Sequence, residues 1–399
     1  MQYRTVPKNG DRLSALGFGA MRLPMRMGRI NEERATRQLR DAIDRGVNYV
    51  DTAVPYHGGE SERFLGRALQ DGYREKVKLA TKLPPFSVKT REDMDRILEI
   101  QLRKLRTDRI DYYLLHSLDA RNWTKLRDLG VLEFLDGARA SGKIVNPGFS
   151  FHGDLRTFRE IVDAYDWTFC QIQYNLLDET TQAGTEGLRY AAERDLAVMV
   201  MEPLRGGMLA ANLPKEAEDL YRRSGRDWSP AAWALRWVWD HPEVTVVLSG
   251  MNDERHIDEN LRTAEDALPN AMTPADLATV EGVAAAYGRM MKVGCTGCGY
   301  CMPCPAGVNI PQCFYLYNLY GMGGNRLFTR GMYGMSLMGA MGDRSDASLC
   351  RTCGRCTKAC PQQIAIPQEL AKVSGALGGL RTKAILPLAR LFFSTEVKE

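Results

Sequence analysis

From about Leu13 to Ala267 the chain alternates short, nearly continuous apolar runs with longer stretches whose apolar residues recur at helical spacing. The apolar runs are Leu16–Ala20, Val47–Val50, Val77–Ala80, Ile110–Leu115, Ile144–Phe149, Cys170–Tyr174, Leu196–Met201 and Val244–Leu248, and they predict buried strands. Between them, Glu32–Arg45, Ser61–Gln70, Arg91–Leu105, Thr157–Tyr165, Thr185–Arg194 and Pro230–Asp240 predict helices. Strands that are apolar on both faces and alternate with helices imply a parallel sheet covered on its outer side. Eight such units within roughly 255 residues suit a closed (β/α)8 barrel better than an open sheet.

Before the first unit, Tyr3–Pro7 and Arg12–Leu16 flank Lys8–Asn9–Gly10–Asp11, a turn sequence that predicts a short hairpin lying over the barrel's N-terminal end. After the eighth unit, Pro274–Tyr287 predicts one more helix. The stretch between Cys304 and Cys350 is rich in Gly, Met and aromatic residues and reads as apolar wrapping around what lies beside it. The expected organisation is therefore residues 1–272 as an α/β, (β/α)8 TIM barrel, and residues 273–399 as a smaller, mainly helical domain with a linking helix and a tail.

Composition narrows the functional classes. An apolar fraction of 44% and a charged fraction of 26% are those of an ordinary globular protein. A net charge of +4, with dispersed lysines and arginines, does not suggest nucleic-acid binding. No apolar run is long enough to span a bilayer, and the N-terminus MQYRTVPKNG lacks a signal-peptide core, so a cytoplasmic location is expected. The apolar stretch Ala384–Phe393 is short and broken by Pro387, which suits packing onto the protein's own surface.

Cysteine placement changes the picture most. All ten cysteines except Cys170 fall at or after Cys295. Eight form two runs: CTGCGYCMPCP, with Cys295, Cys298, Cys301 and Cys304, and CRTCGRCTKACP, with Cys350, Cys353, Cys356 and Cys360. The second run has the spacing of bacterial ferredoxins, and the first is one residue short in its last gap but keeps Pro305. Zinc could use such pairs, but it has no need of a third and fourth cysteine followed by proline. Iron–sulfur ligation is the stronger reading, and disulfides are not expected without an oxidising compartment. Cys170 and Cys313 fit neither run and are expected to be buried, inert thiols.

In a barrel of this kind, reactive groups gather at the C-terminal ends of the strands. Asp51 ends one predicted strand, with Tyr56 and His57 following in VDTAVPYHGGE; Lys82 ends the next in LATKLP; His116 ends the next in YYLLHSL. A lysine beside a tyrosine favours the phenolate and should draw its pKa down, while a carboxylate keeps the lysine charged and oriented. These residues resemble the aldo-keto reductase superfamily. The resemblance implies Tyr56 as general acid, Lys82 and Asp51 as the groups that tune it, and His116 as the group that orients the substrate carbonyl. It further implies a nicotinamide held by Ser150 and Gln171, and an adenosine phosphate near Ser249, Gly250, Glu259 and Asn260. Arg255 and Arg205 are not part of that pattern but are charged donors able to meet a 2′-phosphate. The lysine–serine pair of many NADP-dependent members is missing near Ser249, and two further positions depart from the family pattern. Phe151 stands where many members carry asparagine, and Met201 where many offer an aromatic ring. His57 and His152 also follow strand ends, where substrate contact, proton relay or plain solvation is open to each.

As a whole the chain resembles the ferredoxin-fused branch of that superfamily. By that resemblance two 4Fe-4S clusters are expected, one on Cys295, Cys298, Cys301 and Cys360, the other on Cys350, Cys353, Cys356 and Cys304. The expected activity is reduction of a small carbonyl or related unsaturated substrate with the reduced form of NADP or NAD, and/or with electrons relayed through the clusters from a redox partner protein. Two alternatives stay open: an electron carrier whose barrel is a docking or sensing module, and a reductase fed by flavin or by the clusters without nicotinamide.

Overall fold

The computed structural model describes residues 1–211, 213–295, 301–322, 326–339, 343–360, 364–379 and 382. A hairpin, β1 (Tyr3–Thr5) and β2 (Arg12–Ser14), precedes barrel strand β3 (Leu16–Gly19). A second hairpin, β4 (Met25–Arg26) and β5 (Arg29–Ile30), follows. The remaining strands are β6 (Tyr49–Asp51), β7 (Lys78–Leu83), β8 (Ile110–Leu118), β9 (Ile144–Phe151), β10 (Phe169–Gln173), β11 (Ala197–Met201) and β12 (Val244–Ser249). β3 and β6 to β12 close a parallel barrel in chain order, with β12 returning to β3 so that Val247 lies beside Leu16. All eight apolar runs are thus barrel strands.

Side chains alternate across each strand, and the two phases fill two cores. The inward phase gives Tyr49, Ala80, Tyr112, Leu114, Phe169, Ala197, Met199, Val246 and Leu248, joined from below by Val6 and Leu13 of the first hairpin. That hairpin closes the N-terminal end as expected. Its Asp11 accepts from Tyr112 Oη at 2.8 Å and from Lys78 Nζ at 2.7 Å, and Asn9 donates to Asn146 at 2.9 Å. The outward phase meets the helices: Phe149, for example, packs on Phe158 of helix Leu155–Asp163, 5.8 Å between ring centres. Helices Ser61–Ala68 and Arg91–Leu105 approach so closely at Gly66 that a Cβ there would lie 2.1 Å from the Lys104 carbonyl oxygen.

Every helix named from the pattern is present, with small shifts of its ends. The connection between β8 and β9 holds two helices, Ala120–Asp128 and Val131–Ala140, because Gly130 adopts φ 76° and turns the chain between them. The β4–β5 hairpin is new; its two-residue turn places Met27 and Gly28 at φ 51° and 76°, and a methionine at the first of these gives no turn signal in sequence.

Packing divides the chain into two compact units, Met1–Leu209 with Asp227–Val280, and Ala210–Arg226 with Glu281–Glu399. In the second, helices Ile310–Gly321, Arg326–Leu337 and Ile366–Leu377 enclose a core of Val308, Phe314, Tyr333, Leu370 and Val373. The Gly, Met and aromatic stretch supplies much of this core. Cys295, Cys301, Cys304, Cys350, Cys356 and Cys360 all border it. Each cysteine run is delivered by a buried polar anchor. Asn318 accepts from the backbone N–H of Lys292 and Val293 at 2.9 and 2.8 Å, just before Cys295. Asp346 accepts from Ser348 N at 3.0 Å, just before Cys350. Cys298 and Ala384–Phe393 lie outside the described residues. No helix among the described residues is long and apolar enough to cross a membrane.

Candidate active site

Inward alternation carries past the apolar core to the C-terminal mouth of the barrel. Beyond Tyr49 on β6 comes Asp51, beyond Ala80 on β7 comes Lys82, and beyond Leu114 on β8 comes His116. The same phase carries Ser150 on β9, Gln171 on β10 and Met201 on β11. A hydrophobic lining therefore becomes a polar rim at one level of the barrel.

The tightest part of the rim is Lys82, fully buried. Its Nζ donates to both carboxylate oxygens of Asp51, at 2.7 and 2.6 Å, and to the Thr52 carbonyl oxygen at 2.7 Å. It also lies 5.2 Å from the centre of the Tyr56 ring. Burial alone would discharge Lys82, but Asp51 and Tyr56 outweigh it and hold its pKa above the usual lysine value. Burial pushes the Asp51 carboxyl upward while Lys82 pulls it down, and the two short contacts favour an ionised pair.

Tyr56 differs from the expectation drawn from its lysine. Burial raises its pKa and exceeds the opposing effect of Lys82, so the phenol stays protonated. His116 stands edge-on to Tyr56, 6.3 Å between ring centres. Burial, with Lys82 and His152 nearby, lowers the His116 pKa to about 3, so its imidazole is neutral near pH 7. An acid in its protonated form, a buried cation behind it and a neutral imidazole beside it can together protonate an oxygen that gains negative charge.

That depression has a consequence for stability. Unfolded His116 takes up a proton near pH 6.5 and the folded one does not, so it stabilises the barrel above that pH and the stability is lost as pH falls toward 3. We predict that His116→Gln flattens the pH dependence of unfolding between pH 6.5 and 4, removing up to about 1.4 kcal/mol per pH unit. Denaturant titration followed by tryptophan fluorescence measures this. All six tryptophans, Trp123, Trp167, Trp228, Trp233, Trp237 and Trp239, lie in the barrel unit.

The other expected residues divide. Ser150 lies in register with Gln171 across β9 and β10, and its Oγ accepts from Ser117 N at 2.7 Å, leaving its own hydrogen to donate. Gln171 Nε2 reaches Met201 Sδ at 3.6 Å, whereas its Oε1 is buried with no partner. An unpaired amide oxygen in this position fits a ligand that brings an N–H, as a nicotinamide carboxamide does. Phe151 takes the outward phase and packs on Phe158, 5.1 Å between ring centres, so it does not replace an asparagine at the rim.

Ser249 is bonded by Asn260 Nδ2 at 3.0 Å, and Glu259 is engaged by the Ser229 hydroxyl. Gly250 leaves room for Arg22, which a Cβ there would crowd at 3.0 Å. Arg255 is exposed and pairs with Asp253 at 3.0 Å. Arg205 pairs with Asp178 at 3.5 Å and keeps a buried Nη1 with no partner. Thr52, Ser117 and Arg22 were not singled out by sequence reasoning, since a backbone acceptor, a backbone donor and a loop arginine leave no pattern in sequence.

His57 and His152 resolve differently. His57 Nε2 accepts from Leu23 N at 3.1 Å, fastening the loop after β6 to the loop after β3, and burial lowers its pKa. His152 remains exposed at the mouth, yet the protein packed around its ring desolvates it and lowers its pKa, favouring the neutral form.

Among the described cysteines none forms a disulfide. Cys170 and Cys313 are buried, and burial pushes both thiols up, that of Cys313 to about 12. The cysteines of the two runs are a soft thiol donor set beside an apolar core, and Thr352 N already donates to Cys350 Sγ at 3.4 Å. That chemistry fits an iron–sulfur cluster. Among the described residues no three potential metal ligands are gathered at coordinating distance, and Cys298 is not among these residues.

Comparison with known proteins agrees with both halves. Residues 15–275 match the model of the aldo/keto reductase family, and residues 294–365 match a 4Fe-4S dicluster domain. The methylglyoxal reductase YeaE of Escherichia coli is 28% identical over 282 residues, covering 68% of this chain and 93% of the relative. The holo form of the aldo-keto reductase AKR11C1 from Bacillus halodurans is 25% identical, covers 72% of this chain and 97% of its own, and superposes with a TM-score of 0.60. An aldo/keto reductase from Klebsiella pneumoniae in complex with NADP and acetate is 25% identical, covers 70% and 95%, and gives a TM-score of 0.58. With the closed barrel, the Asp51–Lys82–Tyr56 cluster and the cysteine-rich unit all accounted for, the chain is an oxidoreductase that belongs to the aldo/keto reductase family and carries a 4Fe-4S dicluster domain.

Proposed function

We propose that this protein reduces the carbonyl group of a small molecule with NADPH, and that two 4Fe-4S clusters connect it to a one-electron redox partner. The observation that carries the reading is the buried Lys82, bonded to Asp51 and 5.2 Å from the centre of the Tyr56 ring, at a rim where Gln171 keeps an unpaired amide oxygen. When bound, the nicotinamide supplies hydride to the carbonyl carbon. Tyr56 then donates its proton to the carbonyl oxygen, and Lys82 stabilises the phenolate left behind. Asp51 keeps Lys82 charged and fixed. His116, held neutral, donates a hydrogen bond to the same oxygen without offering a second acidic proton.

Gln171 and Ser150 are the residues that would hold the carboxamide. Arg205 and Arg255 are cations able to meet the phosphates, and the NADP bound to the Klebsiella relative supports NADP over NAD. The methylglyoxal reductase relative supports a small aldehyde or ketone as substrate. The eight cysteines of the two runs would hold the clusters, which exchange electrons one at a time.

Titration of the barrel's tryptophan fluorescence with NADPH tests the reading. Saturable quenching by NADPH is expected, and its absence would remove nicotinamide from the mechanism. Gln171→Leu should weaken NADPH binding by roughly tenfold to a hundredfold, the loss of one buried hydrogen bond, with cluster absorbance unchanged. An unaltered affinity would place the carboxamide elsewhere.

A further inference from the structure

The two cysteine runs differ in charge. Residues 295–304 contain no Lys, Arg, Asp or Glu, whereas residues 347–360 contain Arg351, Arg355 and Lys358 and no carboxylate. All three cations are exposed, and so is Cys353 among them. Among the described residues none of the three is in a salt bridge. Of the acidic residues that flank the run, Asp346 pairs with Arg344 at 2.8 Å and Glu369 with Lys372 at 2.7 Å, and Asp343 is in no salt bridge with the three cations. On their inner side Cys350, Cys356 and Cys360 border the apolar core. One edge of the second run is therefore apolar protein, and the other is a cationic rim open to solvent that no carboxylate among the described residues pairs with.

Folding alone does not favour this arrangement. Arg355 and Lys358 are three residues apart on the short helix Arg355–Ala359, a spacing at which like charges repel. Left without counter-ions on the surface, such cations attract a partner of opposite sign and speed its approach. We propose that Arg351, Arg355 and Lys358 form the docking surface for an acidic one-electron carrier protein, which exchanges electrons with the unit through the second cysteine run. This inference rests on the cluster reading given under Proposed function. One electron leaves the reduced carrier and enters the ligated iron–sulfur unit, with no bond formed or broken and no proton moved. Charge complementarity singles out the carrier: a basic carrier would be repelled by these cations, and the first run has no cationic side chain to attract an acidic one.

The test uses the full chain, purified anaerobically with its iron and sulfide measured, and flavodoxin as an acidic probe. Affinity by thermophoresis should fall steeply as salt rises from 20 to 200 mM on the order of the Debye screening range. The triple variant Arg351→Glu, Arg355→Glu, Lys358→Glu should lose tenfold or more in affinity at low salt, with iron content and NADPH turnover unchanged. If that variant loses iron, the triple substitution to Gln is scored in its place. Unchanged affinity in an iron-replete variant overturns the proposal. So does equally tight binding of basic cytochrome c, or binding of duplex DNA in preference to flavodoxin. If flavodoxin docks as expected but, once reduced, does not bleach the visible absorbance of the clusters, the docking surface stands and the electron-relay reading fails.

Discussion

Tyr56→Phe should abolish carbonyl reduction, with kcat falling by about a thousandfold, while the barrel and the iron content are retained. The substitution removes one oxygen from a half-buried side chain and leaves the ring that faces His116. It therefore deletes the proton donor with little change in packing, and positioned general acids contribute roughly a hundredfold to ten-thousandfold. Because burial keeps the Tyr56 phenol protonated, the wild-type enzyme should lose activity as pH rises toward the tyrosine range, and the variant's residual activity should lack that limb. Steady-state assays with a small aldehyde, run beside iron determination, measure both. Turnover unaltered in Tyr56→Phe would eliminate the proposed chemistry, whatever the state of the clusters.

Lys82→Met should cost more than activity. It leaves the Asp51 carboxylate, only 2% exposed, without its two short contacts. Breaking one side of a buried ion pair costs about 3–5 kcal/mol. Asp51 escapes part of that cost by holding a proton, since burial already pushes its pKa up and nothing would then oppose it. A carboxyl with a raised folded pKa stabilises below its unfolded value near 4 and loses that stability as pH rises. The variant's deficit should accordingly widen from pH 4 upward. Adding Asp51→Asn should recover much of the stability and none of the turnover. Denaturation followed by tryptophan fluorescence reads the barrel unit alone, and a double variant no more stable than the single one would show that the pair is not the source of the loss.

The polar network behind the rim explains why Lys82 can be aimed so closely. Thr81, on the outward phase of β7, donates to Glu62 Oε1 at 2.8 Å, and Gln101 donates to the same oxygen at 2.8 Å and to the Lys82 carbonyl oxygen at 3.0 Å. Tyr113 completes it by donating to Gln101 Oε1 at 2.8 Å. These buried groups bond one another, with the second Glu62 oxygen facing Lys104 Nζ at 3.5 Å, so the strand carrying Lys82 is fixed from outside while the ammonium is fixed from within.

Much of this was legible in the chain. Eight apolar runs at the right spacing dictate buried parallel strands, because a strand covered on both faces must be apolar on both faces. Asp51, Lys82 and His116 could be placed at the mouth because each follows an apolar run. The cysteine spacing declared soft-metal chemistry without any tertiary information. Other features could not be read. Phe151 and Ser150 are neighbours in sequence, yet one is packing and the other is rim; only strand phase separates them. For His57, substrate contact, proton relay and plain solvation were all open in sequence; in the fold its Nε2 accepts from the Leu23 backbone, a partner 34 residues away in sequence. The sign of the Tyr56 shift was also hidden, since a lysine's pull is written in the motif and the desolvation that outweighs it is not. Local chemistry, spacing and periodicity are properties of the chain and were determined by sequence alone. Burial, unpaired atoms and the balance between desolvation and charge are properties of what surrounds each group, and those surroundings exist only once distant segments have packed together.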